Sequence, residues 1–98
     1  SSGDELSADA SFFGEFVVDP SALAGELAMA YGLKVRDEEV GLNLRDMMRR
    51  RLNRPAVVGD RVELGAFVLT VREMGAGGVI SAVGLKCPPL AKPKPKHK

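Results

Sequence analysis

The stretch from Pro55 to Lys86, PAVVGDRVELGAFVLTVREMGAGGVISAVGLK, leaves few choices of structure. Val62 and Leu64 alternate with Arg61 and Glu63, and Phe67, Leu69 and Val71 alternate with Val68, Thr70 and Arg72. A period of two puts alternate side chains on opposite faces of a sheet, so the stretch reads as β-strands. Gly59-Asp60 lies where the chain must reverse after Pro55-Ala56-Val57-Val58. Gly65 marks a second break, and Gly75-Ala76-Gly77-Gly78 a third. Pro55, Gly59, Asp60 and Gly65 are therefore read as structural turn residues. From 79 to 85 the alternation blurs. Val79, Ser81, Val83 and Leu85 share one face, and Ile80, Ala82 and Gly84 the other, so both faces are expected to be partly covered.

Before this stretch the pattern changes. Residues 1–10 are small and acidic, without periodicity, and read as a flexible lead-in or linker. Ser11 to Val18, SFFGEFVV, reads as a strand whose three phenylalanines anchor the core. Asp19-Pro20 starts a helix, with aspartate as the cap and proline in the first turn. Leu23, Leu27, Ala30 and Tyr31 recur at helical spacing, and Gly32 ends the run as a C-cap. Residues 34–41, KVRDEEVG, read as a charged loop, with Glu38-Glu39 as a solvated charge run.

A second helix is expected from Leu44 to Leu52. Asn43 is its N-cap, Asp46 sits near the positive end of the dipole, and Leu44, Met47, Met48 and Leu52 form the apolar stripe. Pro55 bars continuation. Strands and helices are thus segregated along the chain. That order predicts an α+β fold, an antiparallel sheet with two helices packed on one face. The domain is drawn over residues 11–88, followed at 89–98 by an extended basic Pro/Lys tail.

The residues offer little chemistry. Cys87 is the lone cysteine, beside Pro88-Pro89, and His97 is the lone histidine, in the tail, so no nucleophile–base set or metal cluster is evident. The glycines at 75–78 join two strands, whereas a phosphate cradle leads into a helix. No catalytic, cofactor-binding or metal residues are assigned, and the chain is not read as an enzyme. No apolar run approaches the ~20 residues needed to span a bilayer, and no signal peptide is visible.

Charge is more informative. The net charge is +1, yet residues 1–43 carry nine acidic and two basic side chains, whereas residues 44–98 carry twelve basic and four acidic. The halves can neutralise each other in the fold or leave a basic face for an anionic partner. Arg49, Arg50, Arg51 and Arg54 crowd the end of the second helix. They suit the helix dipole as a solvated face, and they are also a candidate anion or partner contact. Nucleic acid is not expected, because no aromatic is interleaved with the arginines. Lys92, Lys94, Lys96 and Lys98 are either a solubilising tail or a weak contact to anionic lipid, worth about 1 kcal/mol per lysine near the surface. A domain this small buries only about 60–65% of its unfolded surface, so a homodimer or a partner surface would help it.

One ordered set of residues goes further. Arg54, Pro55, Gly59, Asp60, Val62, Leu64, Gly65, Phe67, Leu69, Thr70, Val71, Glu73, Met74, Ile80 and Val83 together resemble the transporter-associated domain, also called the CorC/HlyC domain. With the preceding strand and helices the resemblance covers about residues 12 to 86. Two architectures carry such a domain at the C-terminus, the CorC-like and hemolysin-like proteins with paired CBS domains, and the NhaP-type potassium/proton antiporters. Phe12-Phe13-Gly14-Glu15-Phe16 and the segment from Arg54 to Leu64 look more like the antiporter version. The resemblance implies a cytosolic C-terminal regulatory domain of a cation/proton antiporter, at the cytoplasmic face of the inner membrane. Its partners would be other cytosolic domains and the membrane part of the parent transporter. The alternatives are an accessory domain of a CorC-like magnesium/cobalt efflux or hemolysin-like CBS protein, and a small-anion or nucleotide sensor. The family fold is similar to part of certain flavin-binding modules. Flavin or adenine nucleotide follows by that analogy alone, and no cofactor is expected.

Overall fold

Four antiparallel strands and two helices are laid out along residues 11–89, the part of the chain that the computed structural model describes. The expectations for the lead-in at 1–10 and for the lysine tail fall outside those residues. In chain order the elements are β1 (Phe16–Val18), α1 (Ala24–Tyr31), a 3-10 turn (Asp37–Glu39), α2 (Leu44–Leu52), β2 (Arg61–Leu64), β3 (Phe67–Met74), a second 3-10 turn (Ala76–Gly78) and β4 (Ile80–Lys86). The α+β architecture expected from the sequence is the one observed.

The sheet runs β1-β4-β3-β2, all antiparallel. Leu64 pairs with Phe67, so only Gly65-Ala66 joins β2 to β3, and Gly65 takes φ +68° there. The pairing Val62↔Leu69↔Leu85 carries the period-two pattern across three strands. It turns one apolar face towards the helices, where Val62, Leu64, Leu69, Val71, Val83 and Leu85 are buried with Ala24, Leu44, Met47 and Met48. Register slips at Val71/Glu73 and Glu73/Met74. Ile80, expected opposite Val83 and Leu85, is consequently buried in the same core, while Ser81 is exposed. A bulge adds a residue to one strand and so exchanges the faces beyond it.

The N-terminal segment departs from expectation. Residues 11–13 are helical, and the strand begins only at Phe16. The phenylalanines do not anchor the core: Phe12 and Phe16 are each about half exposed. Instead the segment crosses the sheet face remote from the helices. The Phe13 carbonyl lies 1.9 Å from where a Cβ on Gly84 would stand. Arg72 places its guanidinium 4.9 Å from the centre of the Phe13 ring, and Phe12 packs on Phe13 edge to face. Both sheet faces are therefore partly covered, but by backbone over glycine rather than by a packed phenylalanine core.

The helix starts follow two different rules. At α2 the expected cap is present, with the Asn43 side chain accepting from the Asp46 N–H at 2.8 Å. At α1 it is not. Asp19 instead accepts from the Ser21 N–H and hydroxyl in a local turn, and the helix begins at Ala24 without a side-chain cap. Its free donors are met by backbone: Ala24 N–H donates to the Leu42 carbonyl and Gly25 N–H to the Val40 carbonyl. Leu44 and Arg45 of α2 donate in return to Ala22 and Pro20. The two N-termini thus satisfy each other. Gly32 closes α1 in the left-handed conformation, as expected.

The segment 34–41 is not a simple charged loop. Glu39 is only 3% exposed. Its Oε1 accepts from the Arg36 N–H at 2.7 Å and from Arg51 Nη2 at 2.8 Å, and its Oε2 accepts from Arg51 Nε at 2.6 Å. Arg51 Nη1 also reaches the Glu63 carbonyl at 3.4 Å. The Arg51 hydrogen bond, opposed by burial, holds the Glu39 carboxyl below the usual glutamate value. Such a carboxyl contributes stability in full above its unfolded value, and that contribution is lost as pH falls through the folded one.

Two predictions follow from this packing. Arg51→Met strands a buried carboxylate and should cost roughly 3 kcal/mol in urea unfolding at neutral pH. The acid side carries the sign: wild-type stability should fall as pH drops below the ordinary glutamate value of 4.5, and Glu39→Gln should show a flatter decline over the same range. A decline of equal slope in both proteins would remove Glu39 as the acid-labile group. Separately, Gly84→Ala forces the Phe13 backbone off the sheet and should cost roughly 1–3 kcal/mol. Faster amide exchange around Phe13 and Leu85 should accompany that loss.

Candidate functional site

The arginine cluster at the end of α2 divides in two. A helix of 3.6 residues per turn gives α2 two faces. Leu44, Met47 and Met48 are buried in the core, and Arg45 Nε donates to the Ile80 carbonyl at 2.9 Å, stapling the start of the helix to β4. Arg51 staples the other end through Glu39. These two arginines therefore belong to the fold, and Arg51 is not available to a ligand. The outward face carries Asp46, Arg49, Arg50 and Asn53 at spacings of three and four.

Arg54 follows the helix and is held differently. Asn53 takes the left-handed conformation at φ 56°, which turns the chain out of the helix. Arg54 then grips Asp60 with both ends of its guanidinium, Nη1 to Oδ2 at 2.9 Å and Nη2 to Oδ1 at 2.7 Å. Its Nη1 also donates to the Pro55 carbonyl at 3.1 Å. Asp60 Oδ2 accepts in addition from the Val57 N–H at 2.8 Å, and Gly59 turns the chain at φ +94°. Arg54, then the Val57 N–H, lower the Asp60 carboxyl below the ordinary aspartate range. Pro55, Gly59 and Asp60 thus form one closed loop, and Asp60 is its latch as well as a turn residue. The signal for Asp60 was present in the sequence as an Arg-Pro…Gly-Asp order, but its arginine partner is six residues away and not readable from it.

Between these groups runs an open groove of about 440 Å³. Arg49, Arg50 and Arg54 line one part of it, Asp46 and Asn53 continue it along the helix, and Leu42 and Pro55 supply its apolar walls. Neither Arg49 nor Arg50 forms an ion pair or hydrogen bond with the described residues. The groove can therefore offer fixed positive charge to an anion. Elsewhere the chemistry is sparse. Among the described residues no group of three histidine, cysteine or acidic side chains could hold a metal ion. Burial, helped by Glu15, pushes the Cys87 thiol above its ordinary value, which disfavours the reactive thiolate. No helix among the described residues is long and apolar enough to cross a membrane.

Comparison with known proteins places this sequence in a family. The family model for the transporter associated domain matches residues 10–88. The potassium/proton antiporter NhaP of Alkalimonas amylolytica is 39% identical over 75 residues, covering 76% of this chain and 13% of that antiporter. The chain thus spans a small part of the length of this relative. No solved structure is matched. The resemblance read from the ordered residues 54–83 and the match over most of the chain agree: this chain belongs to the transporter-associated, or CorC/HlyC, domain family.

Proposed function

We propose that the chain is a cytosolic regulatory domain of a cation/proton antiporter, with potassium as the exchanged cation. The observation that carries this reading is the 39% identity to a stretch of a potassium/proton antiporter, over three quarters of the present chain. That identity favours an antiporter parent over a CBS-containing efflux protein, although the family name is shared by both. A non-catalytic role accords with the arrangement of the side chains. The ion pairs Arg51–Glu39 and Arg54–Asp60 position α2 and the loop 55–60, and on this reading the outward surface serves as a contact surface.

Regulation by such a domain needs no chemistry of its own. A domain that contacts two states of an exchanger with different free energies shifts the population between them by that difference. Its partners on this reading are the neighbouring cytosolic domains and the membrane part of the parent protein. A difference of about 1.4 kcal/mol in contact energy changes the equilibrium tenfold.

Deletion of the segment equivalent to residues 11–88 from the parent antiporter tests this. Membrane insertion should be retained, while the pH profile or cation dependence of exchange in everted vesicles should shift. Unchanged flux, cation affinity and pH profile would refute the regulatory role.

A further inference from the structure

We propose that the outward groove of α2 binds a phosphate-bearing ligand, with Arg49 and Arg50 as its main contacts and Arg54 as a preorganised third. The inference stands apart from the regulatory reading and does not depend on it. Of the four arginines near the end of α2, Arg51 is committed to Glu39, while Arg49 and Arg50 are exposed and pair with no described carboxylate. Arg54 is half exposed even while bound to Asp60, and its bonds to Asp60 and the Pro55 carbonyl use three of its five N–H groups. Its guanidinium is therefore held in place with donors to spare, which lowers the entropy lost on binding.

The groove is polarised. Asp46 lies three residues before Arg49 and four before Arg50, only about 5–6 Å along the helix axis. An anion is repelled from the Asp46 end and drawn to the Arg49–Arg54 end. The helix C-terminus contributes a partial negative charge of about one half, and Asp60 neutralises Arg54, so the excess positive charge at this end is carried by Arg49 and Arg50. Leu42 and Pro55 add apolar wall, and the volume of about 440 Å³ falls within the range of small-molecule sites. A phosphate ester with a flat or apolar body suits that layout, either free, as a nucleoside phosphate, or as a lipid headgroup. Arginine favours phosphate through paired N–H donors.

Titration calorimetry of the 98-residue chain with ATP, with inorganic triphosphate and with vesicles containing phosphatidylglycerol tests the assignment. At about 0.15 M salt, saturable binding of at least one of the three is expected. Arg49→Gln and Arg50→Gln should each weaken it about tenfold, the loss of one charge-assisted contact. Asp46→Asn should tighten it, a change of opposite sign that damage to the fold would not produce. Both arginines are exposed and unpaired, so the double variant should stay folded and lose only the small helix-dipole contribution, a drop of a few degrees in melting temperature. Arg61→Gln, which removes the same charge from the exposed side of β2, should leave affinity within about twofold. ATP or triphosphate binding that the double variant loses points to a free phosphate ester, and vesicle binding lost in the same way points to a headgroup. No binding of any of the three, or equal weakening by Arg61→Gln, would overturn the proposal.

Discussion

The carboxylate of Glu39 is nearly dry, and a dry carboxylate is tolerable only where cations and donors hold its oxygens. Arg51 provides two of those contacts and the Arg36 N–H a third. The effect spreads beyond the pair. Fixing Glu39 fixes the 3-10 turn, and the residues just after it present the Val40 and Leu42 carbonyls to the first N–H groups of α1. A helix with no side-chain cap thereby has its start satisfied. The same pair ties the end of α2 to the turn, while Arg45 ties its beginning to β4. The ion pair thus holds α2 to the turn and the Arg45 bond holds it to β4, on a helical layer seated on the sheet by the apolar core.

This use of charge explains why the basic half of the chain is not simply a basic face. Arg45 and Arg51 are committed to Ile80 and Glu39, Arg54 is bridged to Asp60 with donors left over, and Arg72 lies over the Phe13 ring. Arg51 and Glu39 also join the basic half to the acidic one, so part of the charge asymmetry is neutralised inside the fold. What is left on the outward face of α2 is a small, oriented set of groups on a rigid element. For a domain proposed to bias a transporter, that is a physically useful arrangement. A regulator must hold its contact surface still, because mobility would dilute the energy difference between the two states it distinguishes.

Two glycine-dependent features shape the other side of the sheet. Gly84 has no side chain because the Phe13 carbonyl occupies that space, and Gly14 adopts φ +101° to make the crossing. The crossing covers part of the second sheet face with backbone and one ring. Phe12, Phe16 and Val17 remain well exposed in consequence.

Local signals were legible in the amino-acid order. The β2–β3 hairpin follows from period two and a Gly-Ala turn, and α2 from Asn43, its apolar stripe and Pro55. The Gly32 cap follows from glycine's tolerance of the left-handed region. Each of these is decided within about four residues, where backbone geometry and side-chain reach suffice. The family was legible too, because the turn and core positions of residues 54–83 recur as an ordered set. Other features depended on the fold. The sequence could not say which arginine meets Glu39, since the two are twelve residues apart and meet only once α2 docks. Nor could it place the bulge that moves Ile80 into the core, or show that Phe13 crosses over Gly84. The start of α1 differs for the same reason: Asp19 is close enough in sequence to cap, but the Val40 and Leu42 carbonyls take the helix donors instead. Local propensity is set by near neighbours, whereas burial and pairing are set by whatever the chain brings back from a distance.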